Sequence, residues 1–490
     1  MTTTELQALM PLLALSVGAT LLMLQIAFVR SIRLTISLTA FIFITTLIAC
    51  FAASEHTPRS VTVLLQADKM ALVFCALFAA SALLTTVLSA DYITNKDDQP
   101  EEYFLLLVLS TLGACVLAYA VHVASLLLGM ELLSVALYAL IAYPDKSMLP
   151  LEAATKYLVL SAAASATILF GFALLYALTG TLLFTELGQQ LASLPANSEL
   201  TVTVAAVLVF AGLAFKLSLV PFHMWTPDVY QGAPSPVTGF LASTAKAAIF
   251  VVMLRWFLQA ELYRYEALLD AITVLAILSM LVGNLLALQQ NNLKRILAYS
   301  SIAHMGYLLI ILVVCGGSDQ RALATEAALY YLIAYTATTI AAFGLLSLIC
   351  SQQREKEHVE LQVVSGLFWQ QPLLAGLMLV ALLSLAGIPL TAGFIAKFYI
   401  FSAAVSISHW LLISSLIVGS GIGIYYYLRI IFIMTQRVEV VATGEMQDMS
   451  VPVRVPKGSY VRVVASLLIA AILLLGTVPQ PLMAYLRSIL

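Results

Sequence analysis

The chain has 490 residues, 62% of them hydrophobic and only 10% charged, with a mean hydropathy of +1.01. Soluble domains carry about 25% charged residues, so too few remain here to cover a water-facing surface, and the solvent of this fold must be lipid. A formal net charge of −2 offers neither a basic field for nucleic acid nor an acidic tail for a basic partner.

Taken in chain order, the N-terminal stretch lacks a basic leader, and its apolar run of about 24 residues is too long for a signal-peptide core. It reads as a retained first helix. A helical span needs about 20 apolar residues. Runs of that kind between polar breaks fall near 6–29, 34–53, 69–90, 102–120, 122–143, 153–179, 200–222, 236–258, 268–289, 293–314, 324–350, 371–405, 409–434 and 460–486. The fold class expected is therefore an all-α polytopic membrane protein of about fourteen transmembrane helices. The longest polar stretch, 435–459, reads as a cytoplasmic loop without a motif, and no soluble cofactor domain fits elsewhere.

Basic residues test this count. With the N-terminus outside, loops and span ends after odd-numbered helices hold thirteen Lys and Arg, among them Arg30, Arg33, Lys294, Arg295 and Arg429, against six on the other side. The positive-inside rule then puts both termini outside, on the side opposite the cytoplasm. Four lysines are left over, Lys156, Lys216, Lys246 and Lys397, all within or at the edge of apolar spans.

Ionisable groups at membrane depth are functional candidates because each costs about 2.5–3.5 kcal/mol on insertion scales. Glu131 has no charged neighbour in its own span, so it must be protonated, hydrated or paired across helices; a static interhelical ion pair is the competing reading. Lys246 sits mid-span among small residues, beyond snorkelling reach of either interface. Loss of water disfavours an ammonium, which suits an amine that takes up and releases a proton, as a permanently charged arginine does not. Lys216 lies five residues before Pro221, which removes a backbone donor and breaks the helix. Broken helices at membrane depth line wet cavities or are buried in protein, so Lys216 is expected to reach water. His223, just past the break, can relay protons or simply satisfy freed carbonyls. A second break at Gly387 and Pro389 precedes Lys397, with static pairing as its alternative role.

The two broken stretches, KLSLVPF and SLAGIPL, align on Pro221 and Pro389 and lie five helices apart. Paired interrupted helices in corresponding places point to a transporter site between inverted repeats. The expected organisation is three N-terminal helices (1–101), a first five-helix repeat (102–260), an inverted second repeat (261–434), then a loop and last helix (435–490). Lys156, at the start of the sixth span, is a secondary candidate with a snorkelling alternative. His304, midway along the tenth span near Ser300, Ser301 and Tyr307, reads as a polar axis residue or a satisfied structural histidine. No HExxH or paired-ligand spacing supports a metal, and no glycine-rich loop offers a nucleotide cradle. The five cysteines lie in apolar runs without CxxC spacing, which argues against iron–sulfur ligation and disulfides.

At these residues the chain resembles the antiporter-like subunits of proton-pumping NADH:quinone oxidoreductase (respiratory complex I), most closely the bacterial N type. The resemblance rests on LLGMELLSVALYAL around Glu131, EAATKYLVLSAAASA around Lys156, FKLSLVPFHMWTPDVYQGAPSPVTGFLASTAK from Lys216 to Lys246, NLKRILAYSSIAHMGY around His304 and LSLAGIPLTAGFIAKF around Lys397. It implies that Glu131 pairs with Lys216, that Lys246 connects the half-channels, that His304 belongs to a central hydrated axis, and that Lys397 leads to the periplasmic exit. Lysine at 397 fits the N type better than the M type, and the chain's end at a fourteenth helix lacks the lateral helix of the L type. The implied function is that of a subunit of a proton-translocating enzyme with no redox chemistry of its own: NADH, FMN, iron–sulfur clusters and quinone would sit on partner subunits, and neighbouring antiporter-like subunits would flank this chain. A subunit of a monovalent cation/proton antiporter, a subunit of a membrane-bound hydrogenase complex and a membrane scaffold with merely pairing lysines are the rival readings.

Overall fold

The structure, a computed structural model, describes residues 2–94, 99–143, 148–317, 320–350, 359–437 and 459–489. Most of the expected 435–459 loop lies outside the described residues, as do Lys96, Lys146, Arg354, Lys356, Arg454 and Lys457 of the charge count. Backbone groups in hydrocarbon must be satisfied internally, and the fold is accordingly helical. The first part runs α1 (Met10–Phe28), α2 (Ile32–Ala53), α3 (Lys69–Thr94), α4 (Glu101–Tyr119), α5 (Val123–Ala142) and α6 (Met148–Thr179). Next come α7 (Glu199–Lys216), α8 (Trp225–Gly232), α9 (Ser235–Gln259), α10 (Glu266–Leu288), α11 (Leu293–Val314) and α12 (Arg321–Cys350). The last are α13 (Pro372–Ala386), α14 (Ala392–Ser406), α15 (Trp410–Thr435), α16 (Ser459–Thr477) and α17 (Gln480–Ile489). A two-residue antiparallel ribbon pairs β1 (Arg59–Ser60) with β2 (Gln66–Ala67).

Among the described residues, twelve helices are long and apolar enough to cross a membrane, thirteen if the last bent pair counts as one span. The expected twelfth span is instead two short apolar helices, α13 and α14. Glycine and proline at the break, Gly387 and Pro389, account for the difference. Helices α9 and α11 are enclosed on every side, with their apolar windows 100% buried, whereas those of α6 and α15 are 33% buried and present apolar faces to lipid. The axis of the molecule therefore runs along α9 and α11, the helices that carry Lys246 and His304.

Both chain ends lie at one face. Tyr119, ending α4, donates to the carbonyl of Ala8 at 3.4 Å, and Ile489 shares a cleft with Asp68 and Arg255 at the ends of α3 and α9. We call this the terminal face, and the opposite side, with Arg30, Lys156 and Arg295, the loop face.

The two breaks use the same backbone device. After α7, Leu219 N–H donates to Ala214 at 2.8 Å and Ser218 N–H to Phe215 at 2.9 Å. After α13, Ile388 N–H donates to Leu383 at 3.0 Å and Gly387 N–H to Ser384 at 3.1 Å. These are Schellman closures, which need a left-handed residue just past the helix: Ser218 has φ 64° and Gly387 φ 81°. Matched on these residues, Pro221 falls opposite Leu390, so the proline-based alignment of the sequences is one residue out of step. The left-handed turn sets the equivalence, and proline only prevents resumption of the helix.

Candidate proton-transfer site

Lys216 is the last residue of α7 and 5% exposed. Its amine donates to Ser134 of α5 at 2.8 Å and to Ser161 of α6 at 2.5 Å. Ser161 also accepts from Tyr138 at 2.6 Å. One turn along α6, Ser165 donates to the Glu131 carboxylate at 2.5 Å. Glu131 is half-buried, while Lys216 is buried. Among the described residues the two make no direct ion pair. Ser134 and Ser161 stand between them, each one helical turn from Glu131 or its partner Ser165.

Lys246, 1% exposed, follows a π-helical turn over Leu241–Ala245. Such turns add a residue to the helical repeat and re-aim the side chains beyond them. Its amine donates to Ser301 of α11 at 2.7 Å and lies 5.4 Å from the centre of the Tyr230 ring. Ser301 in turn accepts from Tyr335 of α12 at 2.8 Å. Tyr335 stacks near His304, ring centres 5.1 Å apart, and His304 Nδ1 shares a 2.5 Å hydrogen bond with the Tyr331 hydroxyl. Beside His304 a cavity of about 10 Å³, enough for roughly one water molecule, is bounded by Tyr335, Thr338, Ser384 and Gly393.

Lys397 closes the series. It projects from α14 across the second break and donates to the carbonyls of Leu385 at 3.0 Å and Ala386 at 2.9 Å, the last residues of α13. Its amine also lies 5.3 Å from the Tyr307 ring centre, and Tyr307 is 5.7 Å from His304, ring to ring. Lys216 and Lys397 thus both lie at the carbonyl end of a half-helix, where the helix dipole favours a cation.

Among the described residues, the hydrogen bonds of Lys216, Lys246 and Lys397 all go to neutral oxygens. A carboxylate would add a full opposing charge to hold the ammonium, which these acceptors do not. Amines so placed are desolvated yet unlocked, and serine and tyrosine hydroxyls can both donate and accept. Within each hydrogen-bonded group, such as Lys246–Ser301–Tyr335, a proton has a path from one side chain to the next.

The secondary candidates divide. His304 belongs to this axis. Lys156 does not: its side chain is 42% exposed at the loop face and pairs with Glu152 at 2.8 Å and Asp228 at 2.9 Å. Asp228, on α8 beyond the first break, also accepts from Arg295 at 2.9 Å. Burial alone would raise its carboxyl pKa, but the hydrogen bonds and charges of Lys156 and Arg295 outweigh burial and hold it below the usual carboxylate range. This trio ties α6, α8 and α11 together around the first break. His223 is 6% exposed, and neither ring nitrogen finds a partner among the described residues. The carbonyl of Phe215, in the last turn of α7, is taken not by His223 but by Trp225 Nε1 at 3.0 Å.

The sequence reading did not single out Ser134, Ser161, Ser165, Asp228, Tyr331 or Tyr335. Ser134 carried a usable signal, since it lies three residues after Glu131 and so on the same helix face. The others required knowledge of which helices meet. No group of three His, Cys, Asp or Glu side chains suited to a metal ion occurs among the described residues.

Comparison with known proteins places this geometry. The family described as "NADH:quinone oxidoreductase/Mrp antiporter, TM" matches residues 120–423, the stretch holding Glu131, Lys216, Lys246, His304 and Lys397. The chain is 44% identical over 482 residues to NADH-quinone oxidoreductase subunit N of Methylococcus capsulatus, covering 98% of this chain and 94% of that one. It is 45% identical over 441 residues to the subunit of the same name in Ectopseudomonas mendocina, covering 89% and 88%. In structure it matches a chain of respiratory complex I from Thermus thermophilus, solved with bound aureothin, with a TM-score of 0.81 and 32% identity over 97% of this chain and 99% of that one. A chain of the Mrp complex from Dietzia shares the fold, with a TM-score of 0.84 and 21% identity over 100% and 97% of the two chains. A chain that folds, breaks its helices and buries its lysines in this way, and that matches these relatives along nearly its whole length, belongs to the family of membrane subunits shared by NADH:quinone oxidoreductases and Mrp antiporters.

Proposed function

We propose that this chain is the N-type membrane subunit of a bacterial proton-translocating NADH:quinone oxidoreductase. It moves protons across the inner membrane along the axis Lys216, Lys246, His304, Lys397, while electron transfer from NADH to quinone proceeds on partner subunits that carry the FMN and iron–sulfur clusters. The observation that carries this reading is a set of desolvated lysines bonded, among the described residues, only to neutral oxygens, with Lys246 hydrogen-bonded through Ser301 to Tyr335, which packs against His304, and Lys397 and His304 both packed on Tyr307. Residues 102–260 and 261–434 act as two inverted five-helix units, each with its own Schellman-closed break. Glu131 senses the lateral neighbour and influences Lys216 through the intervening serines. The terminal face is periplasmic, and other antiporter-like subunits flank the chain in the membrane.

The experiment is proton uptake in vesicles holding the assembled complex, measured alongside NADH oxidation, for Lys216→Met and Lys246→Arg. Both should pump poorly, the second because guanidinium keeps its proton. Normal pumping by fully assembled variants would overturn the relay. Sodium-driven transport by the chain without NADH would instead favour an antiporter.

A further inference from the structure

The C-terminal helices approach the second break more closely than any sequence motif suggests. Helix α16 and the short helix α17 are bent by 79° to one another. Pro479 in the bend has no N–H, so the carbonyl of Leu475 has no partner within its own helix. Tyr330 of α12 donates to that carbonyl at 2.6 Å. One residue on, Gly476 lies against the break itself: a Cβ there would meet the backbone of Thr391 at 2.3 Å and the carbonyl oxygen of Leu390 at 2.5 Å. No side chain can give way at that contact, because both partners are backbone. Thr391 is the residue from which α14 starts, and α14 carries Lys397.

Past the bend, α17 buries Met483 and Leu486 and turns Arg487 toward α12. Arg487 Nε donates to both oxygens of Glu326, at 2.8 and 2.9 Å. Glu326 is 4% exposed, and it takes no part in the lysine axis. A carboxylate so buried needs its counter-ion, whereas the Arg487 side chain is 63% exposed and free to swing away. Glu326 and Tyr330 stand one turn apart on the same face of α12, and Tyr330 packs against Tyr399, two residues beyond Lys397, with ring centres 5.9 Å apart.

We propose that Glu326 and Arg487 form a latch through which the C-terminal helix positions the second helix break, and with it the amine of Lys397. The latch and the Tyr330–Leu475 bond fix the bend; the bend seats Gly476 on Thr391; and Thr391 sets how α14 meets α13. The two carbonyl contacts of Lys397 depend on that meeting. Arg487 and Glu326 are positioning residues and touch no transferred proton. The inference rests on the reading of Lys397 as a proton relay.

The test uses the assembled complex in vesicles and reads protons moved per NADH oxidised. Arg487→Gln and Glu326→Gln should each lower that ratio toward the value of Lys397→Met. Arg487→Lys should recover most of it. The charge-exchanged double variant, Glu326→Arg with Arg487→Glu, should pump better than either of its single parents when all three are compared at matched assembly. Gly476→Ala, which disturbs the same contact without touching the ion pair, should behave like Arg487→Gln. Because Arg487 is surface-exposed, its variants serve where Glu326→Gln does not assemble. A wild-type ratio in assembled Arg487→Gln and Gly476→Ala would overturn the latch. Lys397→Met separates the two levels: if it pumps normally, the relay reading fails, whereas if it fails to pump while the latch variants pump fully, only the latch falls.

Discussion

Lys397 reaches back over the second break to the carbonyl of Ala386, 2.9 Å away, so the amine of one half-helix caps the other. Lys397→Arg would keep the charge and the dipole interaction while losing the releasable proton. The expected outcome is an assembled complex that oxidises NADH and leaves the vesicle interior close to its starting pH, read with a fluorescent pH probe. Lys397→Met should look the same in pumping, but it also takes the Lys397 donor from the Ala386 carbonyl, at a cost of about 1–3 kcal/mol, visible as a lower melting temperature than that of Lys397→Arg.

Serines between Glu131 and Lys216 give a second expectation. If they carry the influence of one charge to the other, Ser161→Ala should slow proton pumping although no charge has changed. Losing one acceptor of a buried ammonium costs about 1–3 kcal/mol, so the loss should exceed that of an exposed control such as Ser193→Ala. The check is the initial rate of proton uptake at matched assembly. Equal rates in Ser161→Ala and the control would show that the carboxylate and the amine act independently.

The Asp228 clamp predicts a dependence on pH. Lys156 and Arg295 hold the folded-state pKa of Asp228 below its unfolded value of about 3.9. A depressed carboxylate contributes stability that is fully present above the unfolded pKa and is lost as pH falls through the folded one. The stability difference between wild type and Asp228→Asn should therefore be flat from about pH 8 to pH 5 and shrink only below about pH 4. Thermal unfolding of the purified complex across that range measures it, and a difference that varied near neutrality would assign the clamp to another group.

Topology can be read by labelling. Thr3 lies at the terminal face and Gln436 ends α15 at the loop face, both exposed. Cysteines at these positions, in a background without the five native ones, should react with an impermeant maleimide from opposite sides of the membrane. Thr3→Cys is expected to label from the periplasm. Reaction of both from one side would mean that a helix assigned to the membrane does not cross it.

Much of this was legible in the chain itself. The apolar runs located the long helices, because lipid leaves no other way to satisfy the backbone. Pro221 and Gly387 marked both breaks, and lysines at membrane depth marked the axis. Proline misled by one residue, because the left-handed Ser218, and not Pro221, is the equivalent of Gly387. The resemblance implied a direct Glu131–Lys216 pair; in the structure Ser134, on the helix of Glu131, and Ser161, on α6, take the lysine's hydrogen bonds instead. Glu326 stands at the edge of the expected 324–350 span, where a carboxylate draws no notice, and its partner Arg487 lies 161 residues away in sequence.

The π turn before Lys246 carries one consequence for the helix as a whole. An extra residue in the turn shifts the angular phase of everything after it by about 100° relative to everything before. Lys246 faces Ser301 in that shifted frame, and Arg255, nine residues on, points half a turn away to meet Asp68 at 2.5 Å and 3.0 Å. Deleting Ala242 would restore an ordinary helical period. With the proline-rich start of α9 held in place, it would swing the lysine off Ser301 and the arginine off Asp68 together. Two contacts on opposite sides of the helix are thus tuned by a single residue that touches neither.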